Sequence, residues 1–335
     1  MKENDIRPEV LLRRYLNLSE EDAARCFGNE PRVPIPCVGC GSLRVASAFA
    51  KLGFAYAICQ DCGTLYQTPR PPLSAFEAFY RDSASSNYWA EVFFPAVAEV
   101  RRETIFRPRV ERLAALCEAE GIEIRQMIDV GAGYGIFLDE WRMRSPSTHL
   151  VAVEPSAALA KECRAKDFEV VENIVEQVGD GYEGFADLVV CFEVLEHVYE
   201  PAAFMKSLIR LARPGGLVFV STLCIDGFDL QTLWHKSNQI FPPHHINFLS
   251  VAGFEKLFMQ AGLVDVSVTT PGKLDVDIVR NASRQDPNLL DGQRFLQRLI
   301  SNERAATAFQ DFLATNRLSS HAWVLGKVPD DSLVG

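Results

Sequence analysis

From residue 126 to 222, short apolar β-branched runs alternate with longer amphipathic ones: "QMIDVG", "FLDEWRMR", "LVAVEP", "AALAKECRAKD", "EVVEN", "DLVVCF", "PAAFMKSLIRLA" and "GLVFVST". Strand-length runs separated by helix-length runs predict an α/β domain, a mostly parallel sheet with helices on both faces. Further on, "LVDVSVTT" reads as a strand, a polar helical insertion follows at about 271–318, and "HAWVLGKV" reads as the last strand. Strands split by such an insertion often pair in the sheet while the insertion covers the site. Upstream, residues 1–36 read as an N-terminal segment of one or two short helices. Residues 37–70 form a cysteine-rich unit, and 71–125 a helical connector or cap that stops at Gly121. The largest expected segment is 126–335. Within it, "SVAGFEKLFMQAG" carries Phe254, Leu257, Phe258 and Ala261 at i, i+3, i+4 and i+7, with Ser250 as N-cap.

Composition narrows the classes. The 335-residue chain is 48% hydrophobic and has a formal net charge of −10, which argues against a protein built to grip nucleic-acid phosphate. Five arginines in "VRRETIFRPRVERL" (100–113) read as a solvated helix face. No apolar run approaches the ~20 residues of a membrane span, and the charged start lacks a secretory core. The expected location is cytoplasmic, with no membrane partner. In that setting, clustered members of the nine cysteines are expected to bind metal or act in catalysis rather than form disulfides.

Cys37, Cys40, Cys59 and Cys62 have the spacing C-x2-C-x18-C-x2-C, which fits a four-thiolate zinc ribbon. A tetrahedral four-cysteine site has no open position, so its zinc is expected to be structural. The other five cysteines read as core residues.

"MIDVGAGYGIFLDEW" is a strand running through a glycine loop into a helix, with Gly131, Gly133 and Gly135 letting the backbone turn and approach a ligand. A nicotinamide dinucleotide is the competing ligand. Against it stand the G-x-G-x-G pattern and the acidic Asp129 ahead of the loop. Glu154, 23 residues after Gly131, can take two ribose hydroxyls and fits either ligand.

Four ordered motifs, "IDVGAGYG", "VAVEPS", "DLVVCFEVLEHV" and "LARPGGLVFVST", resemble those of the class I S-adenosylmethionine-dependent methyltransferases over roughly 126–270. The resemblance implies a Rossmann-like fold and S-adenosylmethionine as cofactor. By it, Asp129 with Gly131, Ala132, Gly133, Tyr134 and Gly135 would line the methionine end. Glu154 would hold the ribose with Pro155 beside it, Asn173 and Ile174 would lie near the adenine, and Phe192 and Glu193 would close the pocket.

A narrower resemblance follows from the four-cysteine unit ahead of this core together with "HHINFLS". Both are similar to features of the C-methyltransferases of nucleotide-linked deoxysugars and related polysaccharide enzymes. It implies a small-molecule substrate such as a sugar nucleotide, with His245 as base and His197 as polar partner. His244 stands where an acid is usual, and Pro242 and Pro243 replace a tyrosine-containing stretch, leaving carbon, oxygen and nitrogen all open as the methylated atom. From the residues alone, His197 and His245 suit proton transfer near neutral pH. Their bland reading is crevice-wall hydrogen bonding for His197 and a backbone-bonded loop residue for His245. His244 is expected at the entrance, and adjacent His244 and His245 point apart, which argues against a shared metal. Asp275, Asp277, Arg280 and Asn281 could recognise substrate, or be solvated surface. A zinc-ribbon RNA base methyltransferase is the alternative function, and a non-catalytic interaction module ranks last.

Overall fold

The computed structural model describes residues 2–330. Met1 and 331–335, the outer ends of the first and last expected segments, lie outside the described residues. The strands are β1 (Val45–Lys51), β2 (Phe54–Cys59), β3 (Leu65–Gln67), β4 (Gln126–Val130), β5 (His149–Val153), β6 (Glu169–Val171), β7 (Ala186–Phe192), β8 (Ala212–Leu223), β9 (Asn247–Phe248), β10 (Val264–Thr269) and β11 (His321–Lys327). The chain divides into two compact units. The first is Met1–Pro95, Thr222–Phe254 and Val268–Trp323; the second is Ala96–Ser221, Glu255–Ser267 and Val324–Gly335.

In the second unit lies a seven-stranded sheet of order β10-β11-β8-β7-β4-β5-β6, whose β8, β10 and β11 continue at one end into first-unit residues. β4 runs parallel to β5 and β7, β5 to β6, and β7 to β8. β7 is buried at every position, the pattern of a parallel strand covered on both faces. Helices Ile136–Arg144, Ala157–Arg164 and Pro201–Leu211 are the connections. β10 and β11 are neighbours despite the insertion between them, as expected.

Residues 84–119 are helical throughout although Pro95 and Pro108 interrupt the donor series. Just before each proline the helix widens into a π segment, Trp89–Phe93 and Arg102–Phe106. Phe94 N–H there donates to Trp89 O, and Arg107 N–H to Arg102 O. Proline lacks an N–H and its ring crowds the carbonyl four residues back; a wider turn moves that carbonyl aside. The extra residue also rotates everything downstream about the helix axis.

The first unit holds an antiparallel four-stranded sheet, β1-β2-β3-β9. Its N-terminal part is mainly one 19-residue helix, Glu9–Phe27, burying Tyr15, Leu18, Asp22 and Phe27, after a single short turn at Glu3–Ile6. Three insertion helices, Asp275–Gln285, Arg294–Ser301 and Glu303–Thr315, share a core of Val276, Val279, Leu290, Ile300 and Leu313 with Leu233. β3 pairs with β9, and the fully buried Arg70 donates to Asn247 Oδ1 at 2.8 Å, so the cysteine unit grips the "HHINF" segment. Among the described residues, no helix is long and apolar enough to cross a membrane.

Candidate functional site

β4 ends at a loop in which Gly131, Gly133 and Gly135 all have left-handed φ (+77°, +56° and +66°). A Cβ on Gly131 would meet Val194 Cγ2 at 2.6 Å and one on Gly135 would meet Cys163 Sγ at 3.2 Å, whereas one on Gly133 would meet nothing within 4 Å. Two glycines thus close the loop on its supports and the third faces open space. Glu154, at the end of β5, accepts from Gly133 N–H through Oε2 (2.8 Å) and from Ser156 N–H through Oε1 (2.9 Å). Each oxygen keeps a lone pair for a further donor. Burial raises the Glu154 carboxyl above its usual range, and those two donors oppose the rise.

Asp129, on β4, is 1% exposed, and its Oδ1 has no hydrogen-bond partner. Burial first, then the neighbouring Glu154, push its carboxyl up to about 8, with Arg109 pulling the other way. Ala132 is buried; Tyr134 is half-buried and its carbonyl accepts from Lys166 Nζ at 2.6 Å. Pro155 and Ile174 are exposed and Asn173 is half-buried.

At the end of β7, Phe192 is buried and Glu193 takes a left-handed φ of +55°, a strained choice for a residue with a side chain. Glu193 Oε1 accepts from Ser221 Oγ (2.7 Å) and from Arg109 Nη2 (3.2 Å). The Arg109 guanidinium lies 4.7 Å from the centre of the Phe192 ring and is 5% exposed. Burial lowers its pKa, and Glu193 and Asp129 oppose that. His197 sits half-buried in the turn Leu195–His197, its N–H donating to Val194 O. A buried carboxylate lacking a donor beside a buried guanidinium suits a zwitterion, ammonium toward Asp129 and carboxylate toward Arg109. The two Glu154 oxygens suit a vicinal diol.

In the first unit, His245 is half-buried and its Nδ1 lies 2.7 Å from Gln239 O. A carbonyl only accepts, so Nδ1 carries the hydrogen and Nε2 is the acceptor of the neutral ring. His244 is 3% exposed, not at an entrance. Its Nε2 is 3.0 Å from Ser85 Oγ, and Ser85 Oγ donates to Asp22 Oδ2 at 2.7 Å. The rings of Tyr15, Phe79 and Phe241 pack around it.

The four thiols of Cys37, Cys40, Cys59 and Cys62 converge: all lie within 4.8 Å of one another, with Cys37–Cys62 and Cys40–Cys59 at 3.6 Å. Sulfurs bonded at ~2.3 Å to one tetrahedral ion stand about 3.7 Å apart. Each knuckle closes through a glycine, Gly41 N–H to Cys37 O and Gly63 N–H to Cys59 O. Ser250 Oγ accepts from Gly253 N–H as the helix N-cap and donates to Cys62 O.

A model of the family described as "Methyltransferase domain" matches residues 98–268. This chain belongs to that family. It is similar to a ubiquinone biosynthesis O-methyltransferase of Pseudomonas aeruginosa (strain LESB58), 32% identical over 130 residues, 36% of this chain and 56% of the relative. The same-named protein of Alkalilimnicola ehrlichii is 34% identical over 107 residues, 31% and 43% of the two chains. The chain thus spans about half the length of the curated relatives it matches. Among solved structures, the plantazolicin methyltransferase BamL shares the fold, with a TM-score of 0.51 at 12% identity over 76% of this chain and 94% of that one.

The methyltransferase domain recruits residues that the sequence pattern concealed. The arginines of 100–113 are not a solvated face. Arg102 donates to Glu140 (2.8 Å) and Asp139 (3.2 Å), Arg107 donates to Glu140 (2.9 Å), and Arg109 is buried. The signal that could have found them is the pair of prolines, which forces the π turns and shifts the helix phase. In the first unit, the polar stretch after 270 is bonded within the fold. Asp275 is 1% exposed and accepts from Ser319, Gln310 and Ser320. Asp277 and Asn281 hold Glu3, and Arg280 donates to Ile300 O.

Proposed function

We propose that this chain transfers a methyl group from S-adenosylmethionine to a small polar metabolite of the nucleotide-linked sugar or polysaccharide-precursor class. The observation that carries the donor half is Asp129: a buried carboxyl with an unpartnered oxygen beside a loop that faces open space at Gly133. The residues fit the cofactor. Asp129 and Arg109 would hold its amino-acid end, Gly131 to Gly135 would pass close to it, and Glu154 would take the ribose hydroxyls with Pro155 alongside. Asn173, Ile174, Phe192 and Glu193 would border the remainder. When bound, the cofactor supplies an electrophilic methyl group; the chain must orient the acceptor, exclude water and receive its proton. His245, with Nε2 as acceptor, is the proposed base, His197 its polar partner, and His244 the buried neighbour that fixes the loop.

The acceptor class rests on the four-cysteine unit and the "HHINFLS" segment. The names of the curated relatives make a hydroxyl oxygen the first acceptor atom to test. The thiol geometry fits a structural Zn2+ held by Cys37, Cys40, Cys59 and Cys62. RNA is disfavoured as a partner because the basic groups of the cysteine unit are engaged: Arg44 with Asp61, Lys51 with Ser237 O, and Arg70 in the core.

Calorimetry with S-adenosylhomocysteine on zinc-loaded protein tests the donor half, with saturable 1:1 binding expected; absence of binding ends the proposal. Mass spectrometry with S-adenosylmethionine and a panel of sugar nucleotides tests the acceptor half. Full turnover by His245→Ala would remove the base assignment alone.

A further inference from the structure

Asp229 and Asp275 are 0% and 1% exposed, and neither belongs to the donor site. Asp275 is met by three donors, Ser319 Oγ at 2.6 Å, Gln310 Nε2 at 2.7 Å and Ser320 N–H at 2.7 Å, a set that suits a carboxylate. Asp229 Oδ2 accepts from Gln239 Nε2, but its Oδ1 is buried with no donor facing it. Burial, and next the Asp275 carboxylate, raise the Asp229 carboxyl well above its usual range. Asp229 is therefore the neutral partner, and its O–H donates to Asp275, with which it hydrogen-bonds. No ligand is needed to complete the pair, and the surroundings are tight. A Cβ on Gly227 would fall 2.2 Å from Ser320 Cα, and one on Gly272 would fall 1.9 Å from Ser319 Oγ.

Gln239 joins this pair to the histidine loop. Its side-chain amide donates to Asp229, and its main-chain carbonyl accepts from His245 Nδ1–H at 2.7 Å. Tyr56 OH also bonds this loop, at His245 O (2.7 Å), but it holds the backbone and leaves the ring's tautomer unset. The Gln239 carbonyl sets it.

We propose that Asp229 is a positioning residue for His245: backed by Asp275, it holds Gln239 so that the Gln239 carbonyl keeps the hydrogen on His245 Nδ1 and leaves Nε2 as the acceptor. Its catalytic meaning rests on the reading of His245 as the base, but its test does not.

The test is long-range 1H–15N NMR of histidine-labelled, zinc-loaded full chain at a pH where the ring is neutral, with His245 assigned by its loss in His245→Gln. Wild type is expected to show a pyridine-type Nε2 resonance. Asp229→Asn should keep it, because an amide can accept from Gln239 and donate to Asp275. Asp229→Leu should lose it to an exchange-averaged mixture of tautomers. If Asp229→Leu does not fold, Gln239→Leu keeps the backbone carbonyl, removes only the tether, and should show the same loss. An unchanged His245 signal in whichever of these leucine variants folds overturns the proposal, as does loss of the signal in Asp229→Asn. Full methyl transfer by His245→Ala, with the NMR pattern as expected, would sink the base assignment and leave the positioning intact.

Discussion

Two buried carboxyls invite comparison. Asp129 in the second unit and Asp229 in the first are each at most 1% exposed, each has an oxygen without a partner, and each is raised above the usual carboxylic range chiefly by burial. Their surroundings differ. Beside Asp129 runs a glycine loop with open space at Gly133, and the buried cation Arg109 acts on the carboxyl. Around Asp229 the glycines are filled to contact, and the next charge is another carboxylate. An orphaned buried oxygen thus has two solutions: where there is space it waits for a ligand, and where there is none it takes a proton.

Substituting the glycines should separate the two cases most sharply. Gly227→Ala drives a methyl into the Ser320 backbone and should cost ~3 kcal/mol, at the upper end for overpacking, read as a lower urea midpoint. Gly133→Ala meets no atom but sits at φ +56°, so its stability cost should be only about 1–2 kcal/mol. Its methyl enters the open side of the loop, so S-adenosylhomocysteine affinity should fall about tenfold or more, roughly 1.4 kcal/mol. If Gly133→Ala binds normally, the open space is not where the ligand lies.

The aspartates give the next effect. Asp129→Asn removes a charge-assisted hydrogen bond worth ~1.5–3 kcal/mol, so calorimetry should show S-adenosylhomocysteine binding weakened by about 10- to 150-fold. Asp229→Asn should stay within about twofold of wild type, since it mimics the neutral acid already present. Equal losses in both would erase the distinction drawn between them.

These two carboxyls also mark what could be read from the chain alone. Asp129, the glycines and Glu154 were legible because backbone constraints compress them into short contiguous motifs, and the cysteines because two knuckles fix their spacing. The parallel core followed from apolar runs such as "DLVVCF", which need no alternation when both faces are covered. Arg109 was not legible. A regular helix would leave the arginines of 100–113 on a common solvent-facing side, but the π turn at Arg102–Phe106 rotates the phase and buries Arg109. Nor was the Asp229–Asp275 pair, whose members stand 46 positions apart and meet only through folding. Polar side chains that satisfy one another internally look, in sequence, like a solvated surface; Asp275, Asp277, Arg280 and Asn281 were misjudged for that reason.

Stability against pH sharpens the contrast with a smaller effect. The folded Asp129 carboxyl at about 8 lies above its ordinary 3.8. Its contribution is fully present below 3.8 and is lost progressively as pH rises through about 8. Ligand-free wild type should therefore lose stability relative to Asp129→Asn over that window, by less than ~1.4 kcal/mol per pH unit. Parallel urea titrations of the two proteins check it, and parallel curves would refute the raised carboxyl.

The smallest effect is a proton count. At pH 7 an Asp129 carboxyl titrating near 8 is mostly protonated, yet it must be ionised to meet a ligand ammonium. Binding S-adenosylhomocysteine should then release a proton, approaching one at pH 7 and vanishing by about pH 9. Calorimetry in two buffers of different ionisation enthalpy measures this directly. Asp129→Asn should release none, and Asp229→Asn should release as much as wild type, because no ligand reaches that pair. Tight binding by wild type without proton release at pH 7 would mean that Asp129 is already ionised, held so by Arg109. The two carboxyls would then differ in charge before any ligand arrives.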